Sequence, residues 1–310
     1  MEGAYYNGQY LNRLERLGYS QAEIDNKLES TFEEMFYGPE GVRLCHCAGP
    51  DMMYIEDTGN HDVRTEGMSY AMMFCVQMNR QKEFDCLWRW VVTHMYLTEG
   101  ENAGYFAWSC HTDGSKNSDG PAPDGEEFFA MSLFFAANRW GSGEGVLDYA
   151  SWARRILHAC VHKGEEAGSG FPMWNPENHL IKFIPNCEFT DPSYHLPHFY
   201  ELFALWSDEC DRPFWHAAAA ASRQYLRKAC HARTGLSAEY AEYDGRPHRG
   251  DQPDRHDWFF SDAYRTLGNI ALDAQWFGDK DGWAQETAAH IQQFFEEKEH
   301  GQTNGIYLID

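Results

Sequence analysis

The chain has 310 residues, enough for one large domain or two ordinary ones. Apolar residues make up 43% and charged residues 24%, the balance of a folded globular protein. Lysine and arginine total 25 against 48 acids, a formal charge of −23. So acidic a surface repels phosphate backbones and anionic bilayers, and neither nucleic acid nor a membrane is an expected partner.

The start, MEGAYYNGQY, is polar and lacks the basic segment and apolar stretch of a secretory signal. No later apolar run reaches the roughly 20 residues of a spanning helix. The nine cysteines are scattered and odd in number, which reads as reduced thiols in a cytoplasmic protein.

Helical signals are strong and strand signals weak. Ser20-Gln21-Ala22-Glu23 is a capping box; Ile24, Leu28, Phe32 and Met35 follow at helical spacing, and Gly38-Pro39 stops the helix. Cys45-His46-Cys47 has no second Cys/His pair at zinc spacing and is not read as a metal site. Further helices are predicted over about 63–79, 81–98, 125–140, 147–163, 192–207, 212–231, 257–278 and 281–299.

The connections alternate. Short ones follow the helices ending near 79, 140, 207 and 278. Those spanning 98–125, 163–192 and 231–257 are long, and long loops in a compact domain are usually functional. The helices alternate too. Those starting near 63, 125 and 192 are apolar almost all round, whereas 81–98, 147–163 and 281–299 carry charge on one face. The pattern repeats about every 65 residues, as stacked helix hairpins do. It predicts an all-α toroid, an inner ring of helices wrapped by an outer one. Two helical domains are the alternative, but no linker or composition break supports them.

Each long loop leads into an inner helix, so the acids at the inner N-termini gather on one rim. They are Glu66, Asp124, Asp191 and Asp262, joined by Tyr194. Taken singly, each acid also suits a plain N-cap or a first-turn position favoured by the helix dipole; Asp191 before Pro192 is a good example. Glu66 precedes the apolar Met68, Tyr70, Met72 and Met73, which favour a protonated carboxyl. Asp262 has Arg265 one turn on, which favours an ionised one. A protonated acid opposite an ionised base is the pattern of glycoside hydrolysis.

Four elements run through the chain in order: Thr65-Glu66-Gly67-Met68-Ser69-Tyr70-Ala71-Met72, Ala122-Pro123-Asp124-Gly125, Asp191-Pro192-Ser193-Tyr194 and Ser261-Asp262-Ala263-Tyr264-Arg265. On these elements the sequence resembles glycoside hydrolase family 8. With Asn175-Pro176-Glu177-Asn178 added, it is most similar to the family's exo-oligoxylanases that release xylose from the reducing end. The resemblance implies an (α/α)6 barrel, an inverting mechanism and no metal or organic cofactor. It implies Glu66 as general acid and Asp262 as general base, their carboxyl groups about 6.5–9.5 Å apart with water between. It further implies that Asp124 holds the distorted sugar, Tyr194 helps hold the water, and Arg265 orients the base.

The expected substrate is a short β-1,4-xylo-oligosaccharide. Endo-xylanase or endo-glucanase action on the same machinery stays open, as does a sugar-binding protein without activity. A sugar epimerase on an α/α toroid also stays open; its paired histidines would have to come from His195 and His198. Trp108 is a candidate platform for a sugar ring, and Trp174 is either a platform or a loop anchor. His158 and His162, one turn apart, read as surface or packing histidines. Nine helices are predicted where six hairpins need twelve. Residues 1–310 are therefore expected to form a single catalytic domain lacking its last helices, which leaves the exo restriction open.

Overall fold

The structure is a computed structural model, and it describes residues 2–165, 169–250, 255–299 and 305–309. Among these, the helices in chain order are α1 (Ala4–Asn7), α2 (Arg13–Arg16), α3 (Gln21–Tyr37), α4 (Thr65–Gln77), α5 (Gln81–Trp90), α6 (Pro123–Trp140), α7 (Tyr149–His162), α8 (Pro197–Trp206), α9 (Arg212–Ala229), α10 (Arg265–Phe277) and α11 (Trp283–Glu299). All nine predicted helices are present, and the two short ones before α3 are additional. The strands are β1 (Cys45–Cys47), β2 (Met53–Ile55), β3 (Val63–Arg64) and β4 (Ser109–Cys110), in two antiparallel pairs, β1 with β2 and β3 with β4. No helix among the described residues is long and apolar enough to cross a membrane. The chain folds into two compact units, one from Met1–Gln9 and Cys160–Asp310, the other from Tyr10–Ala159.

In the 10–159 unit, α3 begins as predicted. Ser20 Oγ accepts from the Glu23 amide at 3.3 Å, and the Glu23 carboxylate accepts from the Ser20 amide at 2.8 Å. The helices α4 and α6, apolar on most faces, are largely buried and pack on each other. Outer helix α5 adds Trp88, fully buried against Phe106, Phe129 and Trp152, with its indole N–H donating to the Val146 carbonyl at 2.8 Å. The predicted helix over 81–98 ends sooner. After Trp90 it widens into a single π-helical turn, Val91–Met95.

In the other unit, α8 packs along α9. On α9 the buried residues are Trp215, Ala218, Ala219, Ser222, Tyr225, Leu226 and Ala229, a three-and-four spacing that makes one apolar stripe. Trp215 lies between Trp174 and Phe203, both at 5.0 Å between ring centres. The predicted helix over 192–207 is broken. A 3-10 turn, Pro192–Tyr194, precedes α8, because Pro197 cannot continue a helix from the turn before it. Another 3-10 turn, Ser261–Tyr264, leads into α10.

Candidate active site

The candidate acid, Glu66, lies within the 10–159 unit. Pairing of β3 with β4 lays Trp108 beside the start of α4, where the Thr65 amide donates to the Trp108 carbonyl at 3.0 Å. The Arg64 guanidinium sits 5.2 Å from the Trp108 ring centre and is itself held by Asp62 at 3.0 Å. Trp108 is half-buried. Glu66 occupies the first turn of α4 and is also half-buried.

Asp124 is buried in the first turn of α6, where its Oδ1 accepts from the Gly125 amide at 3.0 Å. Gly125 is what allows α6 to approach α4 at this end. A β-carbon there would meet the side chain of Thr65. Glu66 and Asp124 therefore converge because two helices touch at their N-termini.

A further acid, which the sequence reading passed over, completes this cluster. Glu126 is fully buried and accepts from the Phe106 amide at 3.0 Å. Burial pushes its carboxyl up to about 8, and the neighbouring charges of Asp124 and Glu66 push the same way. The available signal was a pair of acids, Glu126 and Glu127, opening a helix that is otherwise apolar.

The candidate base, Asp262, lies within the unit that contains 160–310. Asp191 caps the 3-10 turn as predicted, accepting from the Ser193 amide at 2.6 Å. It is buried, and burial raises its carboxyl well above the usual range although Arg265 opposes this. Asn269 of α10 donates to the Ser193 carbonyl at 2.7 Å, tying that turn to α10. Asp262 stands one turn before α10 and is bridged to Arg265 at 2.9 Å. The same guanidinium lies 5.6 Å from the ring centre of Tyr194. Asp262, Arg265, Tyr194 and Asp191 thus form one cluster.

Other candidates resolve differently. Trp174 is fully buried against Tyr200 and Trp215, so it anchors its loop. His195 and His198 are buried, and burial lowers both imidazoles to about 3. His195 is bonded to Thr190 and Ser222 and stacked on Tyr225, while His198 packs on Trp276. Histidines held neutral in a core do not supply the acid–base pair of an epimerase. His162 bonds Glu165 and Asp211, each at 2.8 Å. His46 of the Cys-His-Cys segment is paired with Glu56 at 3.3 Å, and burial pushes the Cys45 thiol up to about 12.

Comparison with known proteins identifies the family. The model of glycosyl hydrolases family 8 matches residues 19–307. A reducing end xylose-releasing exo-oligoxylanase of Halalkalibacterium halodurans is 55% identical over 299 residues, covering 96% of this chain and 76% of the relative. A crystal structure of a reducing end xylose-releasing exo-oligoxylanase superposes with a TM-score of 0.94 at 55% identity, over 99% of this chain and 80% of that one. The structure of Rex8A from Paenibacillus barcinonensis complexed with xylose gives 0.93 at 55% identity, over 96% of this chain and 78% of that one. The chain belongs to glycoside hydrolase family 8, inverting glycosidases built on an all-α (α/α)6 barrel.

Proposed function

We propose that residues 1–310 act as one catalytic domain that cleaves short β-1,4-linked xylo-oligosaccharides with inversion, releasing xylose from the reducing end. The observation that carries this reading is the 55% identity, over 96% of the chain, to an enzyme named for that reaction. A cytoplasmic location suits an enzyme acting on oligosaccharides after import, and cell fractionation tests it.

In this reading the Glu66 carboxyl protonates the glycosidic oxygen as its bond to the anomeric carbon breaks. The Asp262 carboxylate takes a proton from the water that attacks that carbon from the opposite face. The water oxygen becomes the new anomeric hydroxyl, so a β-linked substrate yields an α-anomer. Arg265 orients Asp262 through their ion pair, and Tyr194 helps hold the water. Asp124 holds the distorted sugar at the point of cleavage. Trp108 offers its face to a sugar ring, backed by Arg64. The neutral Glu126 holds the 105–108 segment on the first turn of α6 without adding a negative charge beside Glu66 and Asp124.

The deciding experiment is hydrolysis of xylotriose followed by proton NMR. Xylose and xylobiose in equal amounts, with the newly formed reducing end first seen as the α-anomer, support the proposal. A β-anomer as first product rules out inversion, and attack at internal bonds of longer chains rules out exo action.

A further inference from the structure

Ser261, immediately before Asp262, has a φ of +45°, in the left-handed region that side chains other than glycine avoid. Such a bend persists only where its surroundings hold it, and bends of this kind cluster at functional sites. Here the hold is visible. The Ser261 hydroxyl donates to the carboxylate of Glu239, a buried residue in the loop between α9 and α10. The Oε2 of Glu239 in turn accepts from Nδ1 of His256 at 2.6 Å.

The backbone makes the same connection. The Glu239 amide donates to the Trp258 carbonyl at 2.9 Å, and the Tyr240 amide to the His256 carbonyl at 2.8 Å. The rings of Tyr240 and His256 stack at 4.2 Å. The segment leading into the 3-10 turn is thereby clamped on residues 239–240.

We infer that Glu239 is a positioning residue: through Ser261 it holds the left-handed bend that aims Asp262, while Arg265 holds the same carboxylate from α10. The inference rests on Asp262 being the general base. His256 fixes the free rotation of the Glu239 carboxylate, and Ser261 transmits its position by one hydrogen bond and one peptide unit.

The test is steady-state kinetics on xylotriose for Glu239→Gln, Ser261→Ala and the double variant, with Asp262→Asn alongside. A misaimed base slows the chemical step and leaves ground-state binding alone. Each single variant is expected to lower kcat about tenfold with KM changed less than about twofold. Because the two residues act as one unit, the double variant should lose no more than about tenfold as well. An unchanged kcat in both singles, or losses that multiply to about a hundredfold, overturns the inference. If Glu239→Gln does not fold, Ser261→Ala decides, since it deletes one exposed hydroxyl; unchanged kcat there overturns the inference. An active Asp262→Asn removes the base assignment and the inference with it. An inactive Asp262→Asn beside an unaffected Glu239→Gln removes the inference alone.

Discussion

Gly125 in the first turn of α6 lies so close to Thr65 in the first turn of α4 that a β-carbon on Gly125 would stand 2.5 Å from that of Thr65. Atoms that near cannot coexist, so one helix would have to move. Those two turns carry Asp124 and Glu66, and the contact therefore sets the spacing of two proposed site residues as well as of two helices. Gly125→Ala should cost about 1–3 kcal/mol by overpacking and lower kcat/KM at least tenfold by displacing the carboxyls. Thr65→Gly in the same chain should restore part of both. Urea denaturation and kinetics on xylotriose check this; full activity in Gly125→Ala would show that the helices yield freely.

Acid and base variants should fail in different ways. Glu66→Ala should lose about 100-fold or more on xylo-oligosaccharides, where the leaving oxygen needs a proton. It should lose much less on a β-xylosyl fluoride of suitable length, whose leaving group needs none. Asp262→Ala should be slow on both, because water must be activated in either case. It should still couple an α-glycosyl fluoride to an acceptor sugar, since an inverting site accepts that anomer in reverse. Fluoride release and product analysis separate the two, and equal losses for Glu66→Ala on both substrates would contradict its role as acid.

Glu126 gives the folded chain a pH dependence of known sign. Burial pushes its carboxyl up to about 8 in the fold, from an ordinary value of 4.5 in the unfolded chain. Between those values the unfolded chain has released a proton that the folded chain keeps. Stability from this group is therefore full below about pH 4.5 and is lost as pH rises towards about 8. Glu126→Gln keeps an acceptor for the Phe106 amide and cannot ionise. The variant should be more stable than the parent at pH 7.5 and little different at pH 4.5. Chemical denaturation of both proteins at the two pH values measures it, and parallel stability curves would show that Glu126 is not held neutral.

Trp108 and Trp174 should separate binding from folding. Trp108→Ala removes a half-exposed ring and is expected to raise KM for xylo-oligosaccharides about fivefold, with melting little changed. Trp174→Ala removes a ring wedged between Tyr200 and Trp215 and should destabilise by about 3–5 kcal/mol. Calorimetric melts and xylotriose titrations distinguish the two. A Trp174→Ala protein with normal melting and raised KM would reverse their roles.

Local chemistry was legible in the amino-acid order. The capping box at Ser20, the apolar runs of α4, α6 and α8 and the cap at Asp191 follow from side-chain periodicity and from hydrogen bonds spanning two or three residues. The acids Glu66, Asp124 and Asp262 stood out because carboxyl groups at the heads of apolar helices are unusual. The tertiary structure alone decided what depends on contacts between distant segments. Burial pushes Glu126 towards its neutral form, against the opposing pull of the Phe106 amide 20 positions away, which donates to it. Trp174 is an anchor because Trp215, from another helix, closes over it. Ser261 bends left-handed, a conformation that its own side chain does not favour and that no local pattern announces. Periodicity reports which face of an element is apolar. It carries no information on which foreign backbone or carboxyl will meet that face, and burial, protonation and strain are set by that meeting.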